Sequence, residues 1–260
     1  IHGGLVLSLE RMNKIREIDA ANRFAVVQPG VILQELHEAC EVKGLLYPVD
    51  MSSRGSCQIG GNLACNAGGE RAVKYGTTRN YVTGIEAVLM DGAVIRTGGK
   101  LAKNSAGYPL HQLLVGSEGT LAVITEATLR LLPLPPYRKT LLAPFQSIDA
   151  AAGAALAVEA SGRDPASLEF IERAAAALAE EMLGTSLPHA DAEALLLVEV
   201  EAFSEARAQE DLEEIAQVLL QSGADDVDIA PRERIWRVRH AVAEAIKKLP
   251  AYTAASPCRT

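Results

Sequence analysis

From Gly55 to Gly69 the chain reads Gly-Ser-Cys-Gln-Ile-Gly-Gly-Asn-Leu-Ala-Cys-Asn-Ala-Gly-Gly, with five glycines (55, 60, 61, 68, 69) and no charged side chain. Few folds leave room for such a run. Residues without Cβ let the backbone take positive φ and approach a ligand closely, and bare N–H groups can converge on an anion or a carbonyl. Ile59 and Leu63 are apolar anchors, and Asn62 and Asn66 are polar groups of fixed length. A flexible linker would carry serine and charge instead. The run therefore reads as the wall of a cofactor site.

Two common nucleotide motifs are absent. Gly98-Gly99-Lys100 is followed by Leu101, without the spaced upstream glycine or the Ser/Thr of a phosphate-binding Walker loop. No Gly-x-Gly-x-x-Gly joins a strand to a helix, which disfavours nicotinamide binding on a Rossmann sheet. A second glycine pair, Gly116 and Gly119, stands directly before the apolar run Leu121-Ala122-Val123-Ile124. Such a turn either presents main-chain groups to a flat ring or simply links two strands.

The element pattern divides the chain in two. In the first part, strands are expected at Leu5–Leu9, Phe24–Val27, Ile85–Leu89, Ala93–Thr97, Leu121–Thr125 and Thr128–Leu132, with a helix over Ile32–Cys40 that ends near Gly44. Asp91-Gly92 predicts a type I′ hairpin. Pro133, Pro135 and Pro136 interrupt either kind of element, so a boundary is expected at 136. Beyond it come strand Thr140–Ala143, helix Asp149–Ser161, strand Leu168–Phe170, helix Glu172–Leu183, strand Leu195–Val200, helix Ser204–Ser222, strand Val227–Ala230 and a last helix from Arg232 to about Leu249. Pro250 then leads into an aperiodic tail, Ser256–Thr260. Two strand–helix–strand units of this kind suggest a split βαβ, ferredoxin-like sheet.

Composition narrows the function classes. Lys and Arg number 25 against 33 Asp and Glu, a net charge of −8, which argues against nucleic acid as a partner. No segment of about 20 residues qualifies as a membrane span. Cys40, Cys57, Cys65 and Cys258 form no Cys-x-x-Cys pair and read as reduced thiols of a cytoplasmic protein. The five histidines (2, 37, 111, 189, 240) show no ligand spacing, so no metal site is expected.

Three runs in order, Cys57 to Gly69, Lys74-Tyr75-Gly76-Thr77-Thr78-Arg79 and Gly116-Ser117-Glu118-Gly119-Thr120-Leu121, resemble FAD-binding oxidoreductases of the vanillyl-alcohol oxidase type. The similarity is strongest to the branch holding the glycolate oxidase FAD subunit, D-lactate dehydrogenase and D-2-hydroxyglutarate dehydrogenase, and runs from about Gly3 to about Ala254. It implies an α+β chain: the later half of an FAD-binding domain of the p-cresol methylhydroxylase (PCMH) type over 1–136, then part of a ferredoxin-like antiparallel cap domain over 137–260.

By the same resemblance, Pro48, Val49, Asp50, Met51, Ser52 and Ser53 line the flavin together with Gly55, Ser56, Ile59, Gly60, Gly61, Asn62 and Ala64. Asn66, Ala67, Gly68 and Gly69 sit near the ring system. Glu118, Gly119, Thr120, Leu121 and Ile124 meet the adenine side through main chain. Arg239, last of Trp236-Arg237-Val238-Arg239, matches an arginine that holds a substrate carboxylate; the alternative is a solvated helix charge among Arg232, Arg234 and Arg237.

The resemblance implies FAD as cofactor, a small 2-hydroxy acid as substrate, and an electron acceptor or partner subunits. The family's pyrophosphate loop is expected upstream of Ile1 and its histidine-bearing cap segments downstream of Thr260, so the chain reads as a fragment. That leaves two readings besides the oxidoreductase: a non-catalytic FAD-binding piece that needs other segments, and a nucleotide-binding protein that uses the glycine run for phosphate.

Overall fold

The computed structural model describes residues 4–249; Pro250 and the tail expected at 256–260 lie outside them. The chain divides into two compact units, Ile1–Leu134 and Pro135–Thr260.

The first unit is built on strands β1 (Ile15–Asp19) and β2 (Phe24–Val27), helix α1 (Leu33–Glu41), strand β3 (Leu45–Leu46), helices α2 (Ile59–Cys65) and α3 (Ala72–Tyr75), strands β4 (Val82–Val88) and β5 (Val94–Gly98), helix α4 (Leu110–Leu114), and strands β6 (Val123–Arg130) and β7 (Leu132–Pro133). Five strands pair antiparallel in the order β1-β2-β6-β4-β5, and β3 pairs with β7. Alternation puts Ala25, Val27, Ile85, Ala87, Ala127 and Leu129 into one core. There they meet Leu33, Leu36 and Cys40, one face of α1, and Ile59 and Leu63 of α2.

Three expectations change in this unit, and one strand appears where none was expected. Leu5–Leu9 forms no strand: Leu5, Val6 and Leu7 are 95%, 82% and 63% exposed, and no ladder is offered to them. The sheet instead begins at β1, whose charged sequence Ile-Arg-Glu-Ile-Asp conceals an edge strand. The β4–β5 turn is not type I′, because Gly92 is left-handed (φ 85) and Asp91 is not. Gly92 N–H donates to Leu89 O and Leu89 N–H to Ala93 O, which makes a three-residue loop with the glycine closing a bulge. Finally, the two strands expected around 121–132 are one strand, β6, with a bulge: Ala87 opposes Ile124 while Glu86 opposes Glu126, leaving Thr125 over.

The second unit runs β8 (Tyr137–Phe145), α5 (Ile148–Ala160), β9 (Ser167–Glu172), α6 (Arg173–Leu183), β10 (Ala194–Ala202), α7 (Glu205–Gln221), β11 (Asp228–Ala230), α8 (Arg232–Lys247). Sheet order β11-β8-β10-β9, all antiparallel, is the split βαβ arrangement, with α6 inserted between its second and third strands. Ser147 and Ser204 cap α5 and α7, their hydroxyls accepting Ala150 N–H at 3.0 Å and Arg207 N–H at 3.3 Å.

Both faces of this sheet are covered. Leu196, Val198 and Val200 meet α5 and α7, and Leu195 and Leu197 meet α6 and α8, so β10 is buried throughout and reads as apolar from Ala194 to Val198. Its two acids are paired, Glu199 with Arg232 and Glu201 with Arg138. Pairing offsets the desolvation that a buried carboxylate would otherwise suffer.

Candidate functional site

The three runs singled out in the sequence meet at one place, the C-terminal end of α2. This helix can lie where it does because position 60 is glycine: a Cβ there would stand 2.7 Å from Pro29 Cβ. Gly60 N–H donates to Pro29 O at 2.7 Å and Ile59 N–H to Val31 O at 2.9 Å, so the turn before α1 satisfies the first donors of α2. At the other end Asn66 is left-handed (φ 49), as a helix-terminating asparagine often is. The last carbonyls of α2 take donors from the second glycine pair: Gly116 N–H reaches Leu63 O and Glu118 N–H reaches Ala64 O, both at 2.9 Å.

The intervening run supplies the pins. Thr78, fully buried, donates through both N–H (2.9 Å) and hydroxyl (2.7 Å) to Ala67 O. Asn66 Oδ1 accepts from Thr77 Oγ1 at 3.0 Å and Arg79 N–H at 2.9 Å. The Arg79 guanidinium donates to Gln112 O with Nη1 and to Val115 O with Nη2, drawing together the end of α4 and the Gly116 turn. The carbonyls that Arg79 holds lie 33 and 36 residues away, so its role is beyond any local sequence pattern.

The 48–53 segment lies against the same run. Gly69 sits so close to it that a Cβ would fall 1.6 Å from Asp50 O, and Glu70 N–H donates to that same oxygen at 3.1 Å. Asp50 is buried, and its Oδ2 accepts from Arg54 Nη1 at 2.9 Å. His37, from α1, bonds Val49 O through Nε2 at 3.0 Å, with Nδ1 4.0 Å from Asp50 Oδ1. Burial pushes the His37 pKa down, a shift that Asp50 opposes. His37 is thus a buried brace for this segment that sequence reading treated as one lone histidine among five. Val49, Ile59 and Asn62 point inward and can offer a ligand only main chain, whereas Ser52, Ser53, Gly55, Ser56 and Gly61 are exposed.

Between α2, the Ser117–Gly119 turn and the start of β6 lies a half-open groove of about 190 Å³ lined by Leu7, Leu9, Gly60, Ala64, Ser117, Gly119, Ala122, Val123 and Ile124. It brings together four of the sequence-selected residues (Gly60, Ala64, Gly119, Ile124). Cβ atoms added at Gly61 and Gly119 would meet nothing within 4 Å, so the space above them is open. The volume is below the range for a whole drug-sized ligand, so the groove suits one ring system. With no charged lining residue and mostly apolar walls, it suits a flat aromatic ring. Among the described residues no group of three His, Cys, Asp or Glu could hold a metal ion.

In the second unit, Arg239 is engaged within the chain: its Nε (2.9 Å) and Nη2 both donate to Glu169 Oε2 on β9. It is therefore not the solvated helix charge that was the alternative. Cys40, Cys57 and Cys65 are free, and burial pushes the Cys40 thiol up to about 12, out of reach of thiolate chemistry at neutral pH.

The fold recurs in solved structures. Alkyldihydroxyacetonephosphate synthase matches with a TM-score of 0.74 at 20% identity over 92% of this chain and 45% of that one, and p-cresol methylhydroxylase with 0.70 at 16% over 88% and 50%. At these identities the likeness is one of fold. Residues 1–98 match the family described as FAD binding domain, and residues 134–256 match FAD linked oxidases, C-terminal domain.

Together the two matches give the chain an FAD binding domain and the C-terminal domain of FAD linked oxidases, and its cofactor is FAD. Curated relatives include glycolate oxidase subunit GlcD of Bacillus subtilis, 44% identical over 96% of this chain; D-lactate dehydrogenase of Archaeoglobus fulgidus, 43% over 94%; and D-2-hydroxyglutarate dehydrogenase of Xanthomonas citri pv. viticola, 37% over 96%. The chain spans about half the length of these relatives, 54% in each case.

Proposed function

We propose that the chain is part of an FAD-dependent dehydrogenase or oxidase acting on the CH–OH group of a small 2-hydroxy acid such as glycolate, D-lactate or D-2-hydroxyglutarate. The observation that carries this reading is the meeting of the three glycine- and threonine-bearing runs at the end of α2, where the first and third line one groove free of charge. Residues 1–136 are read as the FAD-binding domain and 137–260 as the cap. Gly60, Ala64, Gly119 and Ile124 would pack on one ring system of the cofactor. Asn66 to Gly69 and Pro48 to Ser53 would border it, with main chain from Glu118, Thr120 and Leu121. Bound FAD supplies the acceptor for a hydride from the substrate α-carbon.

The protein's part is to hold the reactants in register and exclude water. The apolar groove walls keep water from the ring face. Arg239 orients the substrate, because its planar fork can give a carboxylate two charge-assisted bonds. No helix of the described residues is long and apolar enough to cross a membrane. The free cysteines support a place in the reducing cytoplasm, and electrons would leave to an acceptor or a partner subunit.

Turnover decides the reading. With FAD and a dye acceptor, one of glycolate, D-lactate or D-2-hydroxyglutarate is expected to reduce the dye, and omission of FAD to abolish the signal. Tight ATP binding without FAD binding would overturn it in favour of a nucleotide-binding protein. FAD binding with no dye reduction from any of the three acids would leave a non-catalytic flavin-binding piece.

A further inference from the structure

Arg239 is held in a particular way. Of its five N–H donors, the side-on pair, Nε–H and one Nη2–H, goes to a single oxygen, Glu169 Oε2. The partners sit on neighbouring elements of the second unit, α8 and β9, and both are mostly shielded, with side chains 30% and 18% exposed. A guanidinium bonded along one edge has its plane fixed, and the opposite end-on pair, Nη1–H and the second Nη2–H, is then aimed in one direction.

The surroundings reinforce this. On the same face of the sheet Arg232 is paired with Glu199 and Arg138 with Glu201, so α8 is anchored to β10 one turn before Trp236 and to β9 at Arg239. Trp236 and Val238, on either side of Arg237, are buried under the helix. Helix position, side-chain plane and donor direction are thus all set before any ligand arrives.

We infer that Glu169 is a positioning residue for Arg239: it clamps the side-on edge so that the end-on edge is presented to the substrate carboxylate. The inference rests on the proposed role of Arg239. Glu169 stays paired throughout the cycle and is not displaced by the substrate. It acts on binding and alignment and not on the hydride step, since it reaches the substrate only through Arg239.

The test uses the FAD-loaded protein and three variants, reading KM, kcat and the equilibrium affinity for a non-reacting carboxylate, the matching 2-oxo acid. Arg239→Lys, which keeps the charge and loses the fork, is expected to raise KM at least tenfold. Glu169→Ala is expected to raise KM and the 2-oxo acid dissociation constant about tenfold, with kcat changed less than threefold. Glu169→Gln, which keeps an acceptor oxygen on the same stem, is expected to recover most of that loss.

A fall in KM in both Glu169 variants would mean that the carboxylate competes for Arg239, and would overturn the inference. Equal losses in kcat, KM and thermal stability with no recovery by glutamine would overturn it in favour of a purely structural ion pair. If Arg239→Lys left KM unchanged, the substrate role of Arg239 itself would fail, whatever the Glu169 variants did.

Discussion

Gly69→Ala is expected to cost about 3 kcal/mol or more of stability in the first unit and to abolish tight FAD binding. The Cβ would lie 1.6 Å from Asp50 O and 2.6 Å from Asp50 C, well inside any real contact. What stands in the way is backbone, so no rotamer change relieves it. That carbonyl also accepts Glu70 N–H, and Asp50 is fixed by Arg54, so the clash spreads into the 48–53 segment. Gly61→Ala is the control: its Cβ meets nothing within 4 Å, and its effect on stability is expected within about 0.5 kcal/mol. Thermal unfolding and an FAD titration of both variants check the pair, and an alanine at 69 as stable as the parent would show that the segments are not in contact.

Arg79→Ala is expected to cost roughly 3 kcal/mol, equivalent to a fall in Tm of about 10 °C, through two charge-assisted bonds to carbonyl groups. Removing the guanidinium leaves Gln112 O and Val115 O without that donor and empties the space against Gly116. The Gly116–Gly119 turn then relies on main-chain bonds such as those to Leu63 and Ala64, and FAD affinity should fall with stability. Arg79→Lys should recover little, because one ammonium cannot span two carbonyls as the planar fork does. Thermal melts of the three proteins read this directly; full stability in Arg79→Ala would refute the clamp.

The second unit was the more legible in the sequence. Two of its helices, α5 and α7, carry serine caps, and prolines stand just before β8 and β9 and just after β11, so local and tertiary preferences agree. The first unit was less legible at its start. Leu5–Leu9 looks like a strand and has no partner, while the charged Ile15–Asp19, for which no element was expected, pairs with β2. Apolar content here reported neither burial nor pairing, and strand identity at a sheet edge depends on a neighbour that the pattern cannot see.

The glycine run was legible as a wall, but the division of labour within it was not. Gly60 and Gly69 are required by the chain's own close packing, whereas Gly61 and Gly119 face open space, Gly119 in the groove. That distinction needs coordinates. So does the pairing of Arg239 with Glu169, 70 residues away.

The central claim is that the groove beside α2 seats one ring system of FAD. Its most direct test is a titration of FAD against the protein and against Ala64→Trp, followed by the flavin absorption bands and by protection against thermal unfolding. Ala64 lines the groove and is partly exposed, so an indole there fills the ring space without disturbing the core. The account predicts perturbed flavin bands and a raised Tm for the parent, and neither for the tryptophan variant, whose melting without FAD is unchanged. A parent that leaves the flavin spectrum and its own Tm unaltered, or a variant that binds FAD as tightly as the parent, would contradict it.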